Sequence, residues 1–586
     1  MNKYSIISIL FLLFLSLNIF LSSNTNACKD IIACGDSTEG DYNLLLKVRD
    51  PSRAGLQVLC IVPKDYEYYY HNPWTGKEIH YTNQHKYIGV TTVDDIIPNI
   101  VKAGMTLSDA GISYGDSDTN SRWINPTKNA WDDFDWLRYA CERANSEEET
   151  VDLLTNECVD KLHATNVSEN LFIVGPDKGY VIEADAYRYN IEEITNGVLV
   201  RHNYPKLLWN SNIIKTLLIS KNFDLIVEKE VRKRSIVRLG SIYGIRVTEI
   251  CDEYITISPI GLYHKMMTNS LEVVTKIQIG ERKTAGYLSV ELLEINGDKA
   301  KIRVTNIYNA WEEEILKNIN SRYGSITVKD MIKWSRLTDE DLKGLRGMCQ
   351  DTYEYEAVAI YKIPKNNYEI FSMGWFAPNH ASSSIYIPFH ICNTDIYTPY
   401  KTGNAAQLSL DLYMLYNQSI LASNFSKIEN VFFNEIKSLE KTAEEIVSNN
   451  IDITDFLTII DMSMQKQAYI TQELWKDAIN KQDIQIIISD LWNNTYYDSL
   501  LKMKNATIYF VENSDSKPYI DKINEIALNI CLSRINAAKS IGIDVESAEN
   551  KYRIGEELLN EKNYQSGYEN IINAFLEAEM LIIIKL

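Results

Sequence analysis

Residues that break regular structure are scarce in this chain. Of its 586 residues, 25 are glycine and 13 are proline. Long flexible linkers, which are rich in glycine, serine or proline, are therefore excluded. Collagen-like repeats are also absent, and a content of 45% hydrophobic and 24% charged residues is typical of a globular protein.

Positive charge is also in short supply. The chain has 59 Lys and Arg against 79 Asp and Glu, which gives a net charge of −20 at pH 7. A protein that binds nucleic acid needs a basic face, because Lys and Arg displace the counterions of the phosphate backbone. The composition therefore predicts no nucleic-acid partner.

Sequence motifs for cofactors and metals are missing as well. The chain has no G-x-G-x-x-G, no Walker A loop, no H-E-x-x-H helix and no C-x-x-C pair. Its nine cysteines are odd in number and scattered, so we interpret most of them as small buried hydrophobic residues. We predict neither a cofactor nor a metal.

The first 27 residues have the pattern of a secretory signal peptide. Lys3 precedes an apolar run, and Thr25 and Ala27 occupy the −3 and −1 positions of a cut before Cys28. An uncleaved anchor and lipidation of Cys28 are the alternatives, but the apolar run of roughly 16 residues is short for a bilayer span. Thr25 also stands where lipoprotein signals have an aliphatic residue. We predict a secreted, extracellular or cell-surface protein without a membrane span in its mature chain.

Cleavage at this point would make Cys28 the first residue of the mature protein. A free α-amino group beside a thiol is a complete pair of nucleophile and base. The α-amino pKa of about 7.7–8.0 leaves part of that group neutral at pH 7, so it can accept the thiol proton. Cys28 is therefore the candidate nucleophile for attack on a carbonyl carbon.

Apolar periodicity predicts a mixed first part and a helical last part. Short apolar runs between turn residues are typical of strands, and a 3.6-residue periodicity is typical of helices. From about Asn404 onward, Gly and Pro nearly vanish and long amphipathic helices are predicted. The predicted strands are 28–34, 42–48, 56–62, 170–174, 179–183, 198–201, 357–363, 368–373 and 384–387. The strand at 198–201 is expected to pair with the strand at 179–183. The predicted helices are 95–103, 133–162 with a break near 145–146, and a final hairpin of 523–539 and 545–584.

Several segments follow one another in an informative order. They are CKDIIACGDSTEGDYNLLLKVRDPSRAG at 28–55, GMTLSDAGISYGDSD at 104–118, LRYACERANSEEETVDLL at 137–154, GYVIEADAYRYNIEEITNGVLVRHNYP at 179–205 and SSSIYIPFH at 382–390. Together they resemble the N-terminal-nucleophile (Ntn) hydrolases with Cys. This group includes secreted dipeptidases, penicillin-V acylase, bile-salt hydrolase and acyl-coenzyme A:6-aminopenicillanate acyltransferase. The resemblance covers about residues 28–410.

The resemblance implies a fold and an organisation. The expected fold is α+β, a four-layer αββα sandwich of two antiparallel sheets with a C-terminal all-α extension. The expected organisation is a signal peptide at 1–27, the hydrolase domain at 28–410, helices completing the core at 411–480 and a helical extension with a terminal helix pair at 481–586. We expect the C-terminal helices to contact the envelope or protein partners.

The resemblance also implies site residues. Cys28 takes the place of the nucleophile, Asp50 that of the family's Asp, and Asn203 that of the oxyanion-hole Asn. An amide such as that of Asn203 can donate to an oxyanion without adding charge. Asp50 can orient the terminal ammonium, and Lys47, where the family has Arg, or Arg49 can bind a substrate carboxylate.

Some of these residues have other interpretations. Asp50 before a proline also fits a turn cap, and Asn203 also fits a turn. His202 is a competing donor, although on a strand it faces the side opposite to Asn203. Asp116 and Asp118 fit the lining of a site and a solvated turn equally well.

The predicted function is that of a cysteine amidohydrolase. It would cleave a small peptide, such as a dipeptide, or an N-acyl amino acid through an acyl-enzyme on Cys28. Acyl transfer to a small amine is the close alternative, because it uses the same acyl-enzyme. A catalytically inactive surface or adhesion protein on the same scaffold is the alternative from another class.

Overall fold

The chain forms two compact units, of which the first ends at Gly374 and the second begins at Trp375. The computed structural model describes residues 28–49, 55–71, 75–119, 130–210, 226–239, 243–260, 274–285, 288–349, 356–448, 452–477, 500, 503–504, 507, 517–540 and 542–585. The predicted signal peptide and Asp50 lie outside the described residues. None of the described helices combines the length and the hydropathy that a bilayer span requires.

Two antiparallel sheets build the core of the first unit. The first sheet has the strand order β12-β1-β2-β21, and the second has the order β11-β10-β9-β8-β7-β6-β3. Strands β4 and β5 form a separate hairpin. Their bounds are β1 Lys29–Cys34, β2 Tyr42–Arg49, β3 Gln57–Val62, β4 Glu67–His71, β5 Glu78–Thr82, β6 Tyr87–Thr92, β7 Ala103–Ser108, β8 Ser113–Asp118, β9 Glu169–Val174, β10 Gly179–Ala184, β11 Tyr189–Ile194, β12 Gly197–His202 and β21 Ala357–Pro364.

The two sheets face each other across small residues. Every residue of β1 is buried, so its charged residues, Lys29 and Asp30, have no exposed position on this strand. A Cβ added to Gly179 would lie 3.0 Å from Ile32 Cγ2 and 3.3 Å from Cys34 Sγ, and one added to Gly115 would lie 3.4 Å from Lys47 Cδ. Because strand residues alternate between faces, Cys28, with Asp30, Ile32 and Cys34, belongs to the face that meets the second sheet.

Helices contact each sheet of the first unit. Helix α1 (Asp133–Cys141) contacts β7 and β8, and helix α2 (Glu147–Asp152) contacts β9 and β10. Asp132 caps α1 by accepting the Asp135 N–H at 3.0 Å. The remaining helices among the described residues of this unit are a 3₁₀ helix at Gly35–Ser37, a π-helix at Leu153–Lys161, α3 Lys206–Asn210, α4 Ile307–Asn320, α5 Val328–Ser335 and α6 Tyr368–Phe371. Of these, α4 contacts β12, and α5 contacts β2 and β21.

A β-rich region that we did not predict lies between β12 and α4. It contains two four-stranded sheets, ordered β13-β20-β19-β18 and β14-β15-β16-β17, around one cluster of Val, Ile, Leu and Ala side chains. The burial of β14 alternates strictly along its length, as expected of a strand with one solvated face. The bounds are β13 Val227–Arg232, β14 Ile236–Leu239, β15 Tyr243–Ile250, β16 Tyr254–Ile260, β17 Thr275–Gln278, β18 Arg282–Ala285, β19 Leu288–Asn296 and β20 Lys299–Asn306.

The second unit is mostly helical, as predicted from about Asn404 onward. Strand β22 (Met373–Pro378) spans the boundary between the units, and β23 (Ile387–His390) follows it. The region predicted as a final hairpin of 523–539 and 545–584 consists of three helices, α11, α12 and α13, and each of them contacts the other two. The helices are α7 Pro399–Thr402, α8 Asn404–Leu415, α9 Gln418–Ser448, α10 Thr454–Asp477, α11 Lys517–Ser540, α12 Glu546–Asn560 and α13 Tyr564–Lys585.

Three local predictions are wrong. The predicted helix at 95–103 is absent, because Pro98 offers no N–H for a helical hydrogen bond. The predicted strand at 368–373 is instead the short helix α6, with β22 beginning at Met373. Only the last residue of the predicted strand at 384–387 lies in a strand, since β23 begins at Ile387.

The partner of β12 was also predicted incorrectly. We expected it to pair with the strand at 179–183, but β10 pairs with β9 and β11, and β12 pairs with β1 in the other sheet. The unpredicted strand β11 fills the position beside β10. The pairing of β12 with β1 brings the end of β12 next to Cys28.

Candidate active site

Cys28 and Asn203 flank the same end of a strand ladder. Lys29 pairs with His202 in the antiparallel register of β1 and β12. Cys28 directly precedes Lys29, and Asn203 directly follows His202. Cys28 is 8% exposed, so its thiol lies under the surface at the end of the first sheet.

A fully buried lysine contacts the thiol of Cys28. Lys47 lies opposite Asp30 in the register of β1 and β2, and neither side chain is exposed. The Lys47 Nζ donates to the carbonyl oxygen of Asp116 and, at 3.3 Å, to Ser117 Oγ, and it lies close enough to Cys28 for the ammonium and the thiol to interact.

Two carboxylates and one hydroxyl hold this lysine. Nζ lies 3.5 Å from Asp30 Oδ1 and 4.0 Å from Asp116 Oδ1. Ser117 Oγ donates to Asp30 Oδ2 at 2.5 Å, which orients the carboxylate from the second sheet. The Lys47 ammonium is thus fixed from both sheets and has little freedom to leave the thiol.

The pKa values of this pair reflect burial and mutual attraction. Burial alone would lower the pKa of Lys47, but the charges of Asp30, Cys28 and Asp116 outweigh it and raise that pKa above its ordinary value. Burial raises the pKa of Asp30 to about 7, although Lys47 and the Ser117 hydrogen bond act in the opposite direction. Lys47 is therefore a permanent cation at neutral pH, whereas Asp30 changes its protonation there.

The side-chain amide of Asn203 donates one hydrogen bond among the described residues. Its Nδ2 donates to the carbonyl oxygen of Asp118 at 2.8 Å, and its backbone N–H donates to His202 Nδ1 at 2.8 Å. An amide NH₂ has two N–H bonds, so among the described residues the contact to Asp118 leaves the second for another acceptor. This geometry is compatible with the predicted donation to an oxyanion.

His202 lies on the other side of the strand, as predicted from alternation. Its ring contacts the rings of Tyr308 and Trp311 of α4 edge-on, with centroids 4.9 Å and 5.2 Å away. Burial, assisted by the charges of Lys29 and Arg346, lowers the pKa of His202 well below its ordinary value. The ring is therefore neutral and belongs to the packing between the first sheet and α4.

Arg49, predicted to bind a substrate carboxylate, is buried near the end of β2. Its Nη1 donates to Gln57 Oε1 at 2.8 Å, and its guanidinium carbon lies 4.9 Å from the centroid of the Phe134 ring. A substrate-binding role for Arg49 and Lys47 stays a prediction. The geometry of Lys47 instead favours a role at the thiol, since its donors are already engaged.

The other candidate nucleophiles near the site are packed or engaged. Burial, with a smaller contribution from Glu147, raises the pKa of Cys34 to about 12, so its thiol stays protonated. The segment GISYG at 111–115 has G-x-S-x-G spacing, but Ser113 lies inside β8 and its Oγ donates to the Val174 carbonyl oxygen at 3.1 Å. Neither side chain is placed to attack a substrate.

Sequence reasoning missed Asp30 and Ser117. The signal for Asp30 was present, because a residue two positions after Cys28 on the same strand shares its face. A charged residue there, inside an otherwise apolar run, needs a buried partner of opposite charge. Ser117 could not be found in this way, since its contact with Asp30 crosses between two sheets.

Comparison with known proteins gives only partial similarity. No family model and no curated protein sequence matches this chain. Penicillin V acylase from Agrobacterium tumefaciens is similar at 14% identity over 31% of this chain and 56% of its own, with a TM-score of 0.24. A mutant of conjugated bile acid hydrolase from Clostridium perfringens is similar at 15% identity over 36% of this chain and 61% of its own, with a TM-score of 0.24. The chain thus spans less than two thirds of either protein, and similarity at this level assigns no activity.

Proposed function

We propose that the protein is a cysteine amidohydrolase in which Cys28, as the first residue of the mature chain, attacks an amide carbonyl. The observation that carries this proposal is the contact between the Cys28 thiol and the buried Lys47 ammonium. A fixed cation beside a thiol favours the thiolate, which is the reactive form. The nearby amide of Asn203 supplies a donor for the charge that develops on the carbonyl oxygen.

The reaction divides into acylation and deacylation. The α-amino group of Cys28 accepts the thiol proton, and Sγ forms a bond to the amide carbon while the oxygen takes the negative charge. When the C–N bond breaks, the leaving amine takes the proton from the α-ammonium group. Water then attacks the thioester carbon and gives one proton to the α-amino group. The C–S bond breaks, the acid product leaves, and the Cys28 sulfur takes that proton back from the α-ammonium group.

Lys47 is proposed to act on the nucleophile electrostatically rather than as a base. Its raised pKa keeps it protonated through the cycle, so it neither takes nor gives a proton. Asp30, Asp116 and Ser117 hold the ammonium, and their role is to position it. Cys28 and Asn203 are the proposed catalytic residues, and Asp50 remains the proposed partner of the α-ammonium group.

The fold supports the same hypothesis. Tyr114 and Ile173 of the second sheet pack in one cluster with Trp136 of α1, while Gly115 and Gly179 meet the first sheet. Helices thus cover the outer face of the second sheet, and α4 and α5 contact the first. We infer a four-layer αββα arrangement for the first unit, with secretion and a dipeptide or N-acyl amino acid as the expected context and substrate.

Product analysis with matched cysteine variants tests this proposal. Secreted protein is sequenced at its N-terminus and then incubated with a panel of dipeptides and N-acyl amino acids, with and without a small amine acceptor. Wild type and Cys34→Ala should have Cys28 as their first residue and should release the amine product. Cys28→Ala should not release it. Release of product by Cys28→Ala would refute the proposal, and formation of a new amide only with the added amine would favour acyl transfer over hydrolysis.

A further inference from the structure

Three carboxylates meet on the outer face of the second sheet. Asp118 ends β8 and pairs with Glu169, which begins β9, so their side chains point to the same face. Asp133 is the first residue of α1, which contacts β8. One carboxylate oxygen from each of the three lies within 4.8 Å of the others.

Glu169 is the member that points to a missing ligand. It is completely buried, and neither of its carboxylate oxygens accepts a hydrogen bond from the described part of the chain. Lys102, a nearby cation beside the start of α1, forms its ion pairs with Asp132 and Asp135 rather than with Glu169. A buried carboxylate without a donor is costly, and two more carboxylates beside it add repulsion. A cation would remove both penalties at once.

We propose that Asp118, Asp133 and Glu169 bind a divalent cation, Ca²⁺, at the junction of β8, β9 and α1. Ca²⁺ takes oxygen ligands at about 2.3–2.6 Å, so two oxygens on one ion lie at most about 5.2 Å apart. The observed separations lie within this limit. Asp118 is exposed, which leaves that side of the ion open for water ligands and for exchange with solvent.

The site lies on the face of the second sheet opposite to Cys28 and adjoins its surroundings at Asp116, which interacts with Asp133 and lies 4.0 Å from Lys47 Nζ. Ser117 reaches Asp30 in the first sheet, so its neighbour Asp118 belongs to the opposite face of β8. The two sites are linked through the backbone, because the carbonyl oxygen of Asp118 accepts from Asn203 Nδ2. A cation on the Asp118 carboxylate would therefore fix the strand end that holds Asn203. Cation binding itself does not depend on Cys28.

Calorimetric titration of Ca²⁺ into chelator-treated full-length mature protein tests the site. We expect one ion per chain for wild type and for Cys28→Ala, and an affinity at least about tenfold lower for Glu169→Gln, because affinity follows the charge of the ligands. The matched control is Glu183→Gln on β10, another buried carboxylate, which accepts the N–H groups of Leu207 and Leu208 at 2.6 and 2.7 Å. Its affinity for Ca²⁺ should match that of wild type.

Thermal unfolding gives a second readout, in which the effect of Glu169→Gln on the melting temperature changes sign when Ca²⁺ is added. Without Ca²⁺, Glu169→Gln should melt above wild type, because it removes a buried carboxyl group that lies beside two others and has no hydrogen-bond donor among the described residues. With saturating Ca²⁺ the order should reverse, since only wild type gains from the ion. Asp118→Asn, on the exposed end of β8, replaces Glu169→Gln in both experiments if the latter does not fold. Absence of Ca²⁺ uptake by wild type, or equal uptake by wild type and both variants, would overturn the proposal.

Discussion

The ammonium nitrogen of Lys47 lies 3.5 Å from Oδ1 of Asp30, and both side chains are fully buried. A pair of this kind rarely adds net stability relative to apolar residues, but removing one partner leaves an isolated charge and is costly. Its position beside Cys28 therefore favours a functional reason. Holding a cation against the nucleophile is such a reason.

Removal of the Lys47 charge should damage both stability and activity. Lys47→Met leaves Asp30 unpaired, and we expect the free energy of unfolding at pH 8 to fall by about 3–5 kcal/mol. In the double variant Asp30→Asn/Lys47→Met much of that stability should return, because Asp30 no longer leaves a buried charge without its partner. Amidase activity should stay low in both variants. Urea unfolding and a hydrolysis assay measure the two effects, with Lys362→Met on β21 as the control lysine.

The double variant separates structure from chemistry. Recovery of activity together with stability would mean that Lys47 serves only the fold. Such a result would remove the electrostatic role of Lys47 from the proposed mechanism.

Asp30 should make stability depend on pH between about 4 and 7. Its ordinary pKa is near 4, and burial raises its pKa in the folded protein to about 7. The folded state therefore holds this proton more tightly, so the contribution is complete below pH 4 and is lost as the pH rises through 7. Relative to Asp30→Asn, wild type should lose stability over this interval. Unfolding at several pH values measures this difference, and exposed Asp177→Asn should follow wild type throughout.

Much of the region around Cys28 could be predicted from sequence. The order Cys28, turn, Lys47 marks a hairpin, and alternation along two paired strands fixes which residues share a face. The pairing of β12 with β1 could not be predicted, because an unpredicted strand, β11, lies between β10 and β12 and pairs with β10. The carboxylate cluster of Asp118, Asp133 and Glu169 escaped detection for a similar reason, since its members are far apart in the chain and follow no metal-binding spacing.

Asn203→Ala should lower kcat with little change in KM. Loss of one oxyanion donor costs about 10²–10³ in kcat, roughly 3–4 kcal/mol. Ground-state binding should change much less, because the donor matters when charge develops on the oxygen. His202→Ala should instead lower stability, since it removes the ring that packs on Tyr308 and Trp311. Steady-state kinetics and thermal unfolding of both variants decide between them; full activity in Asn203→Ala with collapse in His202→Ala would reverse the assignment.

Cys34→Ala should retain activity and lose some stability. Cys34 is fully buried on β1, and its Sγ packs close to Gly179 of the second sheet. Removing the sulfur leaves a small void, for which we expect a loss of about 1–2 kcal/mol in the free energy of unfolding. The measurement is urea unfolding with parallel kinetics. If Cys34→Ala is folded but inactive, the nucleophile is Cys34, at the other end of β1, and the assignment to Cys28 is wrong.

Trapping the acyl-enzyme tests the role of Cys28 most directly. Mature protein is mixed with an N-acyl substrate, quenched in acid within the first turnover, digested and mapped by mass spectrometry. The expected result is an acyl mass on the N-terminal peptide that begins with Cys28, and its absence from Cys28→Ala. Substrate turnover with the acyl group on another residue, or in Cys28→Ala without any adduct, would contradict the proposed nucleophile.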